Sequence, residues 1–224
     1  MSKDIEVEAK YLVSDGFDLL KERVILFFKE NAFFDETAPV RASSYLQSDT
    51  YYDTADKILL RNGFSLRIRQ KGGKYFIACK KSSDQNAGQK EQLERFEREA
   101  ETPGPEITSE DNAAFILQCF SDIMGDGYVK ISELSKAVTV RNKRQQLLLK
   151  KAETQYEVAF DDVVYVNERT QVIYSEQQLE IEKCSAETSV VEMLEMLQRL
   201  EERLGSSVVP CWESKFERAC RLTI

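Results

Sequence analysis

Several short stretches of this chain sort apolar and charged residues onto opposite parities. In "IEVEAK" (5–10), Ile5, Val7 and Ala9 alternate with Glu6, Glu8 and Lys10. A β-strand sends successive side chains to opposite faces, so this pattern demands strands with one apolar and one charged face. The same holds for "FSLRIRQK" (64–71), where Arg67, Arg69 and Lys71 oppose Phe64, Leu66 and Ile68. Lys80 opposes Tyr75, Ile77 and Cys79, while Arg95, Glu97, Glu99 and Glu101 share one parity. In "VTVRNKR" the charged parity is read as Thr139, Arg141 and Lys143, and in "LEIE" Glu180 and Glu182 oppose Leu179 and Ile181. One wet face of an antiparallel sheet produces alternation routinely. A solvated face, however, mixes Lys, Glu, Thr and Ser, whereas here some strands are nearly all basic and others nearly all acidic.

Eight strands are expected in all, including 48–54, 137–150, 155–166 and 177–184, with Gly72-Gly73 as a two-residue hairpin turn. Apolar spacing near 3.6 predicts helices over 15–30, with Ser14 as N-cap, over 110–124, and over 189–204, closed by Gly205. A short helix over 213–222 and a polar loop over 82–91 complete the reading, with Trp212 beside Pro210 anchoring the C-terminal segment. The expected fold is α+β, one domain over residues 1–224, built on a mostly antiparallel sheet.

Composition removes several kinds of chemistry. The chain has no histidine, which excludes Ser-His and Cys-His pairs, HExxH zinc sites and imidazole bases. Its five cysteines are widely spaced without a CxxC, so neither a zinc site nor a disulfide framework is expected. A metal would be held by carboxylates, which favours Mg2+ or Mn2+. The net charge of −8 argues against nucleic acid or an anionic membrane as partner. No apolar run spans a bilayer and "MSKDIEVEAK" lacks a signal-peptide core, so a cytoplasmic location is expected. "DIMGDGYVKISE" (122–133) imitates a calcium loop, but Met124 and Lys130 occupy ligand positions. "KGGK" (71–74) lacks P-loop spacing. Tyr52 and Asp53 fit either a core or a ligand role.

If the sheet closes into an eight-stranded barrel with the charged faces inward, its lumen holds about one small ligand. Like charges crowded at reduced dielectric need counter-charges. A polyphosphate with divalent cations supplies both signs: glutamates would hold the metal, and arginines and lysines the phosphates.

The residues in order then resemble the CYTH family, the triphosphate tunnel metalloenzymes. "IEVEAK" is similar to its ExExK signature, and "TYYDT" before "LLRNGFSLRIRQ" is typical of it. So are Lys80, the R-x-E-x-E strand Arg95, Glu97, Glu99, the glutamates of "LEIE", and "SKFERA" near the C-terminus. The resemblance implies an eight-stranded antiparallel closed barrel buttressed by helices. It implies metal carboxylates at Glu6, Glu8, Glu180 and Glu182, with Glu97 and Asp161 as further candidates. It implies triphosphate ligands at Lys10, Arg67, Arg69, Lys80, Arg95, Arg141, Lys143 and Lys215. Lys10, Arg141 and Lys143 are the catalytic candidates; many members carry a lysine where this chain reads Thr139, and Lys143 could replace it. The implied activity is metal-dependent hydrolysis of inorganic triphosphate. A class IV adenylyl cyclase, a thiamine triphosphatase and a non-catalytic polyphosphate sensor are the alternatives, and the oligomeric state, monomer or homodimer, stays open.

Overall fold

The computed structural model describes residues 4–14, 16–31, 41–81, 94–124, 129–151, 154–184 and 190–223, and within these omits the side chains of 4–6, 41, 94–95, 123–124, 151 and 154. The expected loop at 82–91 and part of the calcium-like loop therefore lie outside the described residues, as do the side chains of Glu6 and Arg95.

Nine strands form one antiparallel sheet: β1 (Asp4–Val13), β2 (Arg41–Asp53), β3 (Phe64–Lys71), β4 (Lys74–Lys81), β5 (Glu94–Thr102), β6 (Ser135–Lys151), β7 (Thr154–Asn167), β8 (Ile173–Lys183) and β9 (Val208–Pro210). Their order is β5-β4-β3-β2-β6-β7-β8-β1-β9. The expectation of a closed eight-stranded barrel is thereby corrected: the sheet has nine strands among the described residues and is not closed. The sheet curls until Asp4–Val7 of β1 pair with Glu94–Glu97 of β5, but among the described residues the outer half of β5 has no partner on that side. Farther along, Tyr11–Val13 pair instead with the extra strand β9. β1 thus serves β8 on one edge and two different strands on the other.

Local chemistry accounts for the turns and helices. Gly72 and Gly73 adopt φ of 58° and 78°, the doubly left-handed turn that matches strand twist and disfavours a Cβ. Helix α1 (Phe17–Glu30) starts from Gly16 with no side-chain cap, so Ser14 is not its N-cap. The short α2 (Ile58–Arg61) is capped by Asp53, whose carboxylate accepts from the amides of Thr54, Leu59 and Leu60 at 2.7, 2.9 and 3.1 Å. Asp53 is thus a structural anchor, and Tyr52 lies in the adjoining apolar core. The remaining helices are α3 (Glu110–Met124), α4 (Val190–Leu204) and α5 (Lys215–Leu222). Among the described residues no helix is long and apolar enough to cross a membrane.

The apolar parities pack as the alternation requires. Val7, Ala9 and Tyr11 join Val158, Phe160, Leu179 and Ile181 under α1 and α4. Leu66, Ile68, Ile77 and Cys79 pack with Ile116, Cys119 and Phe120 of α3. The third cluster has a different position. Tyr51, Val138, Val140, Val163 and Tyr165 pack against Phe216, Ala219 and Cys220 of α5, and these strand residues share parity with the charged residues of the concave face. Helix α5 therefore plugs the concave side at one end. Ser214 caps it, accepting from the Glu217 amide, while Glu217 accepts from the Ser214 amide at 2.7 Å. Phe216 stacks on Tyr51 with ring centres 5.1 Å apart. Trp212 is 47% exposed, and Cys211, buried beside it, donates its amide to the Lys10 carbonyl at 2.8 Å. The C-terminal segment is held by that backbone bond and by α5, while the indole stays partly in solvent.

Candidate functional site

On the concave face, above α5, lies a cavity of about 430 Å³. Its lining includes eight cations (Lys10, Arg67, Arg69, Lys71, Lys80, Arg144, Lys183, Lys215) and six glutamates (8, 97, 99, 157, 180, 182). So many charges around so small a volume leave room for a polyvalent ligand and little apolar surface to hold anything else.

The charges fall into two networks. In the first, Asp49 is buried to 1% exposure and accepts two bonds from the Arg69 guanidinium at 2.7 and 2.8 Å, with Arg67 at 3.5 Å. Arg67 also reaches Glu97 at 3.2 Å, and Lys80 meets Glu97 at 3.0 Å. Burial alone would raise the Asp49 carboxyl, but Arg69 and Arg67 outweigh it and hold the group below the usual carboxylate range. Glu97 is lowered likewise, against burial, by Lys80 and Arg67. Fixing Arg67 and Arg69 through Asp49 sets both guanidinium planes toward the cavity at little cost in side-chain freedom.

In the second network Lys215, the first residue of α5, meets Asp161 at 3.1 Å and also Glu180. Arg144 on β6 grips Asp161 with two bonds and donates to Glu180 as well. Lys10 lies 3.7 Å from Glu180 and 3.8 Å from Glu8, and donates to the Glu213 carbonyl at 3.1 Å. Burial opposes ionisation of Glu180, yet Lys215, Arg144 and Lys10 drive it well below the ordinary value. The same carboxylates outweigh the burial of Lys215 and keep its ammonium protonated above the usual lysine range.

The acidic side of the cavity is set by register. Glu8 pairs across β1 and β8 with Glu182, which pairs across β8 and β7 with Glu157. Three carboxylates thus stand in one row over neighbouring strands. Glu157 is raised by burial, which Arg144 and Lys71 only partly offset, and it accepts a hydrogen bond from Gln146. All these donors are oxygens, which suits a hard divalent cation. Among the described residues no three acidic groups converge closely enough to hold a metal as they stand. Glu180 and Asp161 are instead neutralised by lysine and arginine. The donor chemistry of Glu8 and Glu182, side by side across β1 and β8, fits such an ion.

The concave face gathers Glu8, Lys10, Arg67, Arg69, Lys80, Glu97, Asp161, Glu180, Glu182 and Lys215. Arg141 and Lys143 do not join them: both are exposed, and neither lines the cavity. The inward parity of β6 is Val138, Val140, Asn142, Arg144, Gln146. It is apolar where α5 covers it and polar where the cavity begins, so a rule that assigns one parity to the core for the whole strand picks the wrong charges. Arg144, and Asp49 behind Arg69, are the groups of the two networks that the alternation rule misses, while Glu157 obeys the rule and goes unnamed among the expected ligands. Arg144 was betrayed only by the hydrophobic-to-polar switch after Val140, and Glu157 only by its alternation with Tyr156 and Val158.

The CYTH domain model matches residues 4–209, and the chain belongs to the CYTH domain family. Among solved structures it is similar to a Bacillus halodurans protein proposed to be an adenylate cyclase, at 21% identity and TM-score 0.56, covering 97% of this chain and 98% of that one. It is similar to a Pyrococcus horikoshii protein at 19% identity and TM-score 0.58, covering 97% and 99%. A third is a Hippeastrum protein described as having a dominant triphosphatase activity, at 17% identity and TM-score 0.60, covering 98% and 97%. At these identities the likeness is one of fold. No curated protein sequence matches the chain.

Proposed function

We propose that the chain, acting as one domain over 1–224, is a divalent-metal-dependent triphosphatase that uses the concave face of the curled sheet to bind and hydrolyse inorganic triphosphate. The observation that carries this reading is the cavity itself: eight cations interleaved with six glutamates around about 430 Å³. The family membership and the triphosphatase activity described for the Hippeastrum protein support it.

In this mechanism Arg67, Arg69 and Lys80 bind the phosphate chain on one wall, and Lys10, Arg144 and Lys215 bind it on the other. Arg95, on β5, is a further candidate. A water oxygen attacks the terminal phosphorus, the bridging P–O bond breaks, pyrophosphate leaves with the bond's electron pair, and the proton shed by the water passes to a phosphate oxygen of the products. Charge accumulates on non-bridging and leaving oxygens, and fixed guanidinium and ammonium groups stabilise it without reorganising. Lys215, kept protonated by Glu180 and Asp161, acts as a permanent cation toward the leaving group. Glu8 and Glu182, with Glu6, would hold Mg2+ or Mn2+, and Glu97, Asp161 and Glu180 would balance the cations around it. When bound, such a metal supplies Lewis-acid polarisation of the phosphoryl oxygens.

The runner-up is an adenylyl cyclase, as proposed for the Bacillus protein. The cavity's aromatic residues argue for the smaller substrate. Tyr51 is stacked on Phe216, and the Tyr45 ring carries the Lys71 ammonium at 3.8 Å. One face of each ring is thus already taken, and Tyr51 is buried. The deciding assay incubates the protein with Mg2+ or Mn2+ and, separately, tripolyphosphate, ATP or thiamine triphosphate. Phosphate released fastest from tripolyphosphate, and lost on chelation, is the expected result. Cyclic AMP and pyrophosphate from ATP would replace this reading with the cyclase.

A further inference from the structure

Arg141 and Lys143 lie on the outer face of β6, and among the described residues neither has an ion-pair or side-chain hydrogen-bond partner. They edge a trough of about 510 Å³ that crosses β2, β6 and β7 beside the Gly72-Gly73 turn. That volume is in the range of about 300–1,000 Å³ usual for small-molecule sites. Register builds it from two cross-strand rows. One runs Leu46, Lys143, Asp162 and the other Ser48, Arg141, Val164. The Cα atoms of the two cations stand about 6.6 Å apart along one strand, with an aliphatic side chain at each diagonal. Leu46 is 72% exposed and lines the trough with its aliphatic side chain. Asp162 stands opposite Lys143 and lines the trough without an ion pair to either cation; its carboxylate accepts from Gln177 at 2.8 Å.

We infer that this trough binds a flat, apolar organic anion, its charged group between Arg141 and Lys143 and its body across Leu46 and Val164. The chemistry differs from that of the cavity. There the basic residues stand among carboxylates, whereas here two unpaired cations sit over aliphatic surface on a chain of net charge −8. Inorganic polyphosphate would gain nothing from Leu46 and Val164. An aromatic sulfonate, carboxylate or phosphate ester gains from both, and the side-chain-free Gly72 and Gly73 leave that wall open to a planar group.

The test uses 8-anilinonaphthalene-1-sulfonate as probe, titrated by fluorescence into the full chain with and without saturating tripolyphosphate. One saturable site, indifferent to tripolyphosphate, is expected. R141A/K143A and L46E, each shown folded by its thermal melt, should weaken it at least tenfold. The uncharged N-phenyl-1-naphthylamine should bind the native chain at least tenfold more weakly and lose nothing in R141A/K143A. Displacement of the sulfonate by tripolyphosphate would assign it to the cavity and overturn the inference. So would unchanged affinity in both variants, or light scattering that shows a dimer dispersed by L46E, since a second copy of the chain would then occupy the trough.

Discussion

Replacing Asp49 with asparagine tests the arginine wall directly. The substitution keeps shape and removes one charge, so it creates no void. It leaves Arg67 and Arg69 buried without the carboxylate that both approach, at 3.5 Å and at 2.7 and 2.8 Å. Breaking a buried pair by removing one partner costs about 3–5 kcal/mol. For a chain of this size each kcal/mol moves the melting temperature by about 2–4 °C, so D49N should melt on the order of 6–20 °C lower at pH 7. The pH dependence has a definite sign. Asp49 has its folded pKa below the unfolded value of 3.8, so its stabilisation is complete above that value and disappears as pH falls through the depressed one. The gap between the native chain and D49N should therefore hold from pH 7 to about 4 and shrink only below. Tripolyphosphate returns negative charge to the arginines, so it should raise the melting temperature of D49N more than that of the native chain. Scanning fluorimetry across pH, with and without tripolyphosphate, measures all three. A D49N melt within about 2 °C of native at pH 7, under the same scaling, would show that this carboxylate does not organise the wall.

Three further outcomes follow from the same geometry. R144A should lower kcat/KM for triphosphate by about 10²–10³, the range for loss of one transition-state donor, and R141A far less; equal losses would reverse the facing assigned to β6. K215M removes a cation that holds Glu180 well below its ordinary value, so acid unfolding followed by Trp212 fluorescence should begin at higher pH than in the native chain; an unshifted midpoint would place Lys215 outside the network. F216A empties a buried site under Tyr51 and should cost about 3–5 kcal/mol in urea unfolding; a loss under about 1 kcal/mol on that scale would mean that α5 is not the plug of the concave face.

What could be read from the sequence was whatever a single period could express. Glu8, Lys10, Arg67, Arg69 and Lys80 alternate cleanly with core residues because helices cover the opposite face of their strands throughout. The position of Lys215 followed from a motif likeness rather than from periodicity. The failures share a cause: one face of a strand can meet two environments. Val140 and Arg144 point the same way, yet one lies under α5 and the other lines the cavity. Asp49 was hidden for a related reason. In "SDTYYDT" it sits on the parity of Tyr51, and only the β2–β3 pairing, which sets it opposite Arg69, distinguishes it from Asp53, the cap of α2. The ninth strand was illegible because Val208–Pro210 is too short to show alternation.

The bond from Lys10 to the Glu213 carbonyl joins positions 203 residues apart. Closing so long a segment is entropically slow and is rewarded only once both ends are in place. Until α5 docks, Asp161 and Glu180 have lost one of their cations, and the hollow between the strands is open to water from below. Catalytic competence should therefore arrive after most of the sheet has zipped, leaving a window in which a nearly complete β-framework exists that can neither grip phosphate nor resist protease at its unfilled end.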